Sequence, residues 1–387
     1  MVTCSARNLA LAGLLFARAA SAQQAGLEST PLSGPRLIAL TTDDAVIGAA
    51  IEVSGRGAAT LTALGPTNGA RHLRRFGQQV FAVHRDAGTI LRLPLDGDAS
   101  QLYDLGSTSE PMDVLVAGPT PGPTPGLGEA WVTRRHDPRL LLVDLESGVA
   151  TDSVDLSPVG GGSTISLGTM ARHGSRLFVQ VRISDTNAAT GGDDGGVLAV
   201  VDLDQGVLLD VDGQTPGVQG VALQGAPPRF KMQIVGETLF VSTTDSTNDV
   251  RGGIERVDLT TLTSTGYAVS EANGHSDMGG FVMLDEDRGY YVFHTDLLTS
   301  THLVSFTSSG GPEPGSLIDL LGDTVDVLVH DPARGRVYLP SGGAFSGHGL
   351  YAFSTETNAQ LGPPLDTRLR PFDVVFVNAL LPSQPGS

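Results

Sequence analysis

The feature that most constrains this chain is a repeat. Short apolar strands ending in an Asp-Leu step, or a close variant of it, recur about every fifty residues. RLLLVDL ends at Leu145, VLAVVDL at Leu203 and GIERVDL at Leu259. Looser copies are TILRLPL ending at Leu95, HLVSF at Phe306 and GLYAF at Phe353. Ahead of each lies a second strand: QVFAVH (79–84), AWVTR (130–134), RLFVQV (176–181), TLFVST (238–243), GYYVFH (289–294) and RVYLP (336–340). These runs are rich in Val, Phe, Tyr and Leu, turn residues bound them, and helical spacing is nearly absent.

A third strand begins each unit and a fourth ends it. From Pro111 the order reads MDVLV, AWVTR, RLLLVDL and VATDSVDL (149–156). A four-stranded antiparallel sheet repeated at this interval marks a β-propeller blade. Six whole units start near Gly69, Pro111, Ile165, Pro228, Met278 and Val325. Two pieces are left over. RLIALTT, AVIGAAIEV and AATLTAL lie at the front with no first strand, and PFDVVFV lies at the back with nothing after it. The expected fold is therefore all-β, a seven-bladed β-propeller of four-stranded antiparallel blades. In this reading the C-terminal strand completes the first blade, and Phe372, Val374, Val375, Phe376 and Val377 close the ring.

The ends of the chain carry separate signals. Arg7 followed by LALAGLLFA and Ala20-Ser21-Ala22 reads as a signal peptide over 1–22. A linker over 23–34, the propeller over 35–380 and a flexible tail over 381–387 complete the expected division. Export to the periplasm or beyond follows from that reading. Cys4 is the only cysteine and precedes the apolar run, so a processed chain would hold none. Disulfides, thiolate nucleophiles and cysteine-ligated metal are thereby excluded. The net charge of −18 argues against nucleic acid and anionic lipid as partners. After the signal no apolar run reaches 18 residues, so no membrane span is expected.

A first strand in Pro-x-Asp/Gly-Val, a second in Tyr/Phe-Val-x and a third in apolar-Asp-Leu resembles the exported bacterial propellers with Tyr-Val-Thr-Asn repeats. That group is similar in fold to the lactonase-type and quinoprotein amine dehydrogenase-like propellers. The resemblance runs from about Pro35 to Ala379, with FVSTTDSTN (240–248) and WVTRRHD (131–137) nearest to the repeat motif. It implies the architecture, and roles that range from ligand binding and surface attachment to sugar-lactone hydrolysis.

Three first strands carry aspartate at one position, Asp113, Asp326 and Asp373, and three second-to-third turns carry histidine, His84, His136 and His294. A channel mouth lined by these groups could hold a polar ligand or a divalent cation. The plainer account makes each aspartate an acceptor for backbone N–H groups of its own turn, and each histidine a solvated turn residue. The loops 184–196 and 243–253 lack calcium-loop spacing. Gly160-Gly161-Gly162-Ser163 has no lysine of a phosphate loop, no Gly-x-Ser-x-Gly elbow occurs, and Trp131 is the one tryptophan. No cofactor is identified. A non-catalytic scaffold that binds a small molecule, glycan or protein on its loop face is expected, with a metal-assisted lactonase or related hydrolase as the alternative.

Overall fold

A computed structural model describes residues 36–377, apart from 43–47, 54–58, 66–69, 78, 95–99, 119–127, 185–194, 245–250, 274–277, 296–299, 309–310, 313–316, 322–326, 343–348 and 367–369. The expected signal peptide, linker and tail, and Asp326, lie outside the described residues.

The front of the chain forms β1 (Arg36–Thr42), β2 (Gly48–Val53) and β3 (Ala59–Gly65). Blades made of consecutive strands follow. The first is β4 (Ala70–Phe76), β5 (Gln79–His84), β6 (Thr89–Pro94) and β7 (Gln101–Asp104). The second is β8 (Pro111–Gly118), β9 (Glu129–Arg134), β10 (Asp137–Asp144) and β11 (Ala150–Asp155). The third is β12 (Thr164–His173), β13 (Arg176–Ser184), β14 (Gly195–Asp202), β15 (Val207–Leu209) and β16 (Val221–Ala222). The fourth is β17 (Pro228–Val235), β18 (Thr238–Thr243), β19 (Gly253–Asp258) and β20 (Thr263–Ser270). The fifth is β21 (Met278–Met283), β22 (Arg288–Thr295), β23 (Ser300–Thr307), β24 (Gly311–Pro312) and β25 (Ile318–Leu321). The sixth is β26 (Val329–Asp331), β27 (Arg336–Ser341), β28 (Gly349–Ser354) and β29 (Leu365–Asp366). The last strand, β30 (Arg370–Val377), pairs antiparallel with β1 in a sheet ordered β3-β2-β1-β30.

The expectation of seven equivalent four-stranded blades locked by the C-terminal strand is corrected on two points. Six blades are built from consecutive strands, and only four of those have four strands. In the third and fifth blades the outer strand is broken in two, each piece pairing with a different half of the third strand. In the third blade the break falls at DVDGQTPGVQG (210–220). Proline there removes a ladder donor, and glycine weakens an extended run. The remaining sheet is a composite of strands from opposite ends of the chain, and the expected lock is not shown. The side chains of β1 to β3, and those of Phe372, Phe376 and Val377, lie outside the described residues.

Between blades the core is continuous. Phe81, Val83 and Tyr103 of the first blade pack on Val114, Val116 and Val132 of the second. Phe240 and Ile254 of the fourth meet Phe281, Tyr291 and Phe306 of the fifth. Alternation along the second strands turns one row of side chains to each neighbouring blade, so these strands are apolar on both faces. Polar links join the same surfaces. Thr133 Oγ1 donates to Gly168 O at 2.7 Å, and Ser242 Oγ to Gly279 O at 3.2 Å. A Cβ at Gly168 would stand 2.7 Å from Gln180 Oε1 and 3.0 Å from its Cβ, so a larger residue there would displace the Gln180 side chain.

Candidate functional site

Four of the first strands slip register near their starts. The slip falls between Ala70 and His72 in β4, Pro111 and Asp113 in β8, Arg229 and Gln233 in β17, and Pro371 and Asp373 in β30. Such a bulge re-aims the side chain beside it. At β17 the strain is visible in Phe230, whose φ is 57°. Four strands thereby turn one charged or titratable side chain each into a common cluster: His72, Asp113, Lys231 and Asp373. Arg74, two residues after His72, is the fifth member.

Asp113 is fully buried and is held from every side. Arg74 donates to it twice, Nε to Oδ1 at 2.7 Å and Nη2 to Oδ2 at 2.5 Å. The backbone N–H of Val114 donates to Oδ1 at 2.8 Å, and that of Met170 on β12 to Oδ2 at 2.7 Å. Arg74 Nη2 also donates to Met170 O at 2.6 Å, so β4, β8 and β12 meet at one carboxylate. Asp373, fully buried as well, accepts from Lys231 Nζ at 2.6 Å and from the N–H groups of Leu73 and Val374, each at 2.6 Å. His72 stands between the two: Nδ1 lies 3.3 Å from Asp373 Oδ2, and Nε2 lies 3.1 Å from Asp113 Oδ1. Nε2 is at ion-pair distance without an aligned hydrogen bond.

Lys231 is the only lysine of the chain. Its strand touches β12, which touches β8, which touches β4, which touches β30. The ammonium therefore bridges first strands that are not neighbours in that series. Burial dominates its electrostatics and lowers its pKa, with Asp373 opposing the shift. Burial would raise the pKa of Asp113, but the Arg74 guanidinium, then His72, hold it well below the usual carboxylate range. Asp373 experiences the same opposition, with burial outweighed by Lys231 and His72, and falls to about 2. Two carboxylates and two fixed cations balance. That balance is what makes two fully buried carboxylates tolerable, beside cations whose side chains stay 22% and 24% exposed.

The expected site residues thus separate. Asp113 and Asp373 are brought into one cluster through His72. The three histidines are not part of it. His84 is buried at the end of β5, its Nε2 without a hydrogen-bond partner, and burial lowers its pKa to about 4. His294 is buried at the end of β22 with Nδ1 3.1 Å from Thr301 Oγ1, and its pKa is also lowered to about 4 by burial, then by His302. His136 is the exposed one, 3.4 Å from Glu110 Oε2. The sequence reading missed His72, Arg74 and Lys231. One signal was available, since RHLRR occupies in its unit the place that PMDVL occupies in the next. Among the described residues no group of three or more His, Cys, Asp or Glu is arranged to hold a metal ion. Nor is any described helix long and apolar enough to cross a membrane.

Solved structures share this architecture. A protein from Lactobacillus plantarum superposes with a TM-score of 0.60 at 15% identity, covering 90% of this chain and 100% of its own. The Kuenenia stuttgartiensis hydrazine synthase gives 0.55 at 12%, covering 81% and 96%. A structure described as a putative 6-phosphogluconolactonase from Bacteroides uniformis gives 0.54 at 13%, covering 89% and 99%. Likeness at these identities shows the fold alone. This chain is a β-propeller with lactonase-like structural neighbours. No protein-family model and no curated protein matches its sequence.

Proposed function

We propose that the protein is an exported binding scaffold that engages a small molecule, glycan or protein through its loop face, and that the axial cluster braces this scaffold without doing chemistry. The observation that carries the proposal is the saturation of Asp113 and Asp373. Four hydrogen bonds converge on the first and three on the second, and His72 lies beside both. A carboxylate offers about four acceptor positions, so Asp113 has none to spare, and the one left on Asp373 faces His72 Nδ1 at 3.3 Å rather than an open cation site. An incoming divalent ion would also meet the charges of Arg74 and Lys231. Both features weigh against the alternative, a metal-assisted lactonase at the channel mouth. The apolar leader before Gln23 supports export.

The test is a lactone panel assayed with and without Ca²⁺ and Zn²⁺, beside binding titrations with neutral glycans on the mature protein. The proposal expects no cation-dependent hydrolysis and saturable binding that survives Asp373→Asn. Cation-dependent lactone hydrolysis that disappears in a folded Asp373→Asn protein would overturn it.

A further inference from the structure

Away from the axial cluster, the fifth blade places three side chains in a different kind of order. Thr295 Oγ1 lies 3.1 Å from His302 Nε2, and His302 Nδ1 lies 2.5 Å from Asp319 Oδ1. The register fixes all three. Thr295 ends β22 opposite Ser300, His302 faces Phe293 across β22 and β23, and Asp319 faces His302 across β23 and β25. The Phe293 ring stacks on the imidazole at 4.6 Å and 15°, which sets its plane. A carboxylate at Nδ1 requires the proton there, leaving the Nε2 lone pair to accept from the Thr295 hydroxyl. A hydroxyl, a base within reach of it and a carboxylate orienting the base are the diagnostic arrangement of an activated nucleophile.

We infer that Thr295, His302 and Asp319 form an acyl-transfer relay that hydrolyses carboxylic esters at the rim of the fifth blade. This site is independent of the scaffold reading of the channel mouth. Thr295 Oγ1 attacks the acyl carbon while its proton passes to His302 Nε2. The tetrahedral adduct collapses, the bond to the alcohol oxygen breaks, and the alcohol leaves with the proton from Nε2. Water then attacks the acyl-threonine with Nε2 again as base, releasing the acid and restoring the hydroxyl. One ester and one water give one acid and one alcohol, with no metal and no change of oxidation state. The water has access, because the Asp319 side chain is 65% exposed and that of His302 19%. Asp319 is a positioning residue; Thr295 and His302 touch the reacting atoms.

The experiment uses p-nitrophenyl acetate and butyrate with EDTA present, and a fluorophosphonate probe followed by peptide mapping. Hydrolysis above the buffer blank is expected, with the probe on Thr295. Thr295→Val and His302→Ala should each lower kcat by about 10²-fold or more, while Thr295→Ser retains turnover. Asp319→Asn should lower kcat with little change in KM and displace the acid limb of the pH profile, which a merely structural carboxylate would not do. No hydrolysis above the blank, hydrolysis indifferent to Thr295→Val, or labelling elsewhere would overturn the inference. Labelling of the unmutated protein decides the matter even if a variant misfolds. EDTA keeps this outcome separate from the cation-dependent activity that would sink the scaffold reading, and Asp373→Asn should leave the relay active.

Discussion

Two carboxylate–histidine arrangements in this molecule look alike in a list of contacts and behave oppositely. At the axial cluster Asp113 and Asp373 are fully buried, take hydrogen bonds from several strands and are matched by Arg74 and Lys231. At the rim of the fifth blade Asp319 is exposed, holds one imidazole and leaves the far nitrogen of that ring turned to a hydroxyl. The first arrangement consumes every acceptor it has. The second passes polarity along a line to an atom that can react. A buried carboxylate saturated on all sides is a brace, and an exposed one that orients an imidazole toward a hydroxyl can set up chemistry.

The comparison breaks most readily at the brace. Asp113→Ala should cost about 3–5 kcal/mol, because it strands the Arg74 guanidinium and the Met170 N–H in a buried site. Urea denaturation followed by tryptophan fluorescence reads it. Next comes acid. His84 and His294 have folded-state pKa values of about 4, below the ordinary value for histidine. The unfolded chain binds these protons first, so stability falls as pH drops from about 6.5 toward 4, by roughly 2–3 kcal/mol per histidine at the low end. Asp113 and Asp373, held below the usual carboxylate range, lose their contribution only at still lower pH. His84→Leu should therefore flatten part of the acid slope between pH 6.5 and 4, measured as the denaturation midpoint against pH. Smaller again is Thr133→Val, which removes the hydrogen bond to Gly168 O and should cost about 1 kcal/mol. His136→Ala, at an exposed turn, should leave the melting temperature where it was.

The strands were legible because each is a short apolar run with turn residues at its ends. QVFAVH and TLFVST match β5 and β18 residue for residue. Legible too was the shared position of Asp113 and Asp373, since Pro-x-Asp-Val recurs and a bulge follows the proline in both strands. Their partners were not. Lys231 reaches Asp373 across 142 positions of sequence, and Leu73 across 300. No local pattern encodes such pairings. The broken outer strands escaped for a related reason: only pairing with β14 and β23 shows that the strand resumes. The relay at Thr295 escaped because its members are neighbours only across strands. It becomes visible once His302 is known to face Phe293 and Asp319.

The claim at the centre is that the axial cluster couples inner strands that are not neighbours. A double-mutant cycle of Lys231→Met and Asp373→Asn, read by urea denaturation at pH 7, measures that coupling directly. The account predicts an interaction energy of about 1–3 kcal/mol between the two positions. Additive effects, with each substitution costing the same whether or not the other is present, would contradict it.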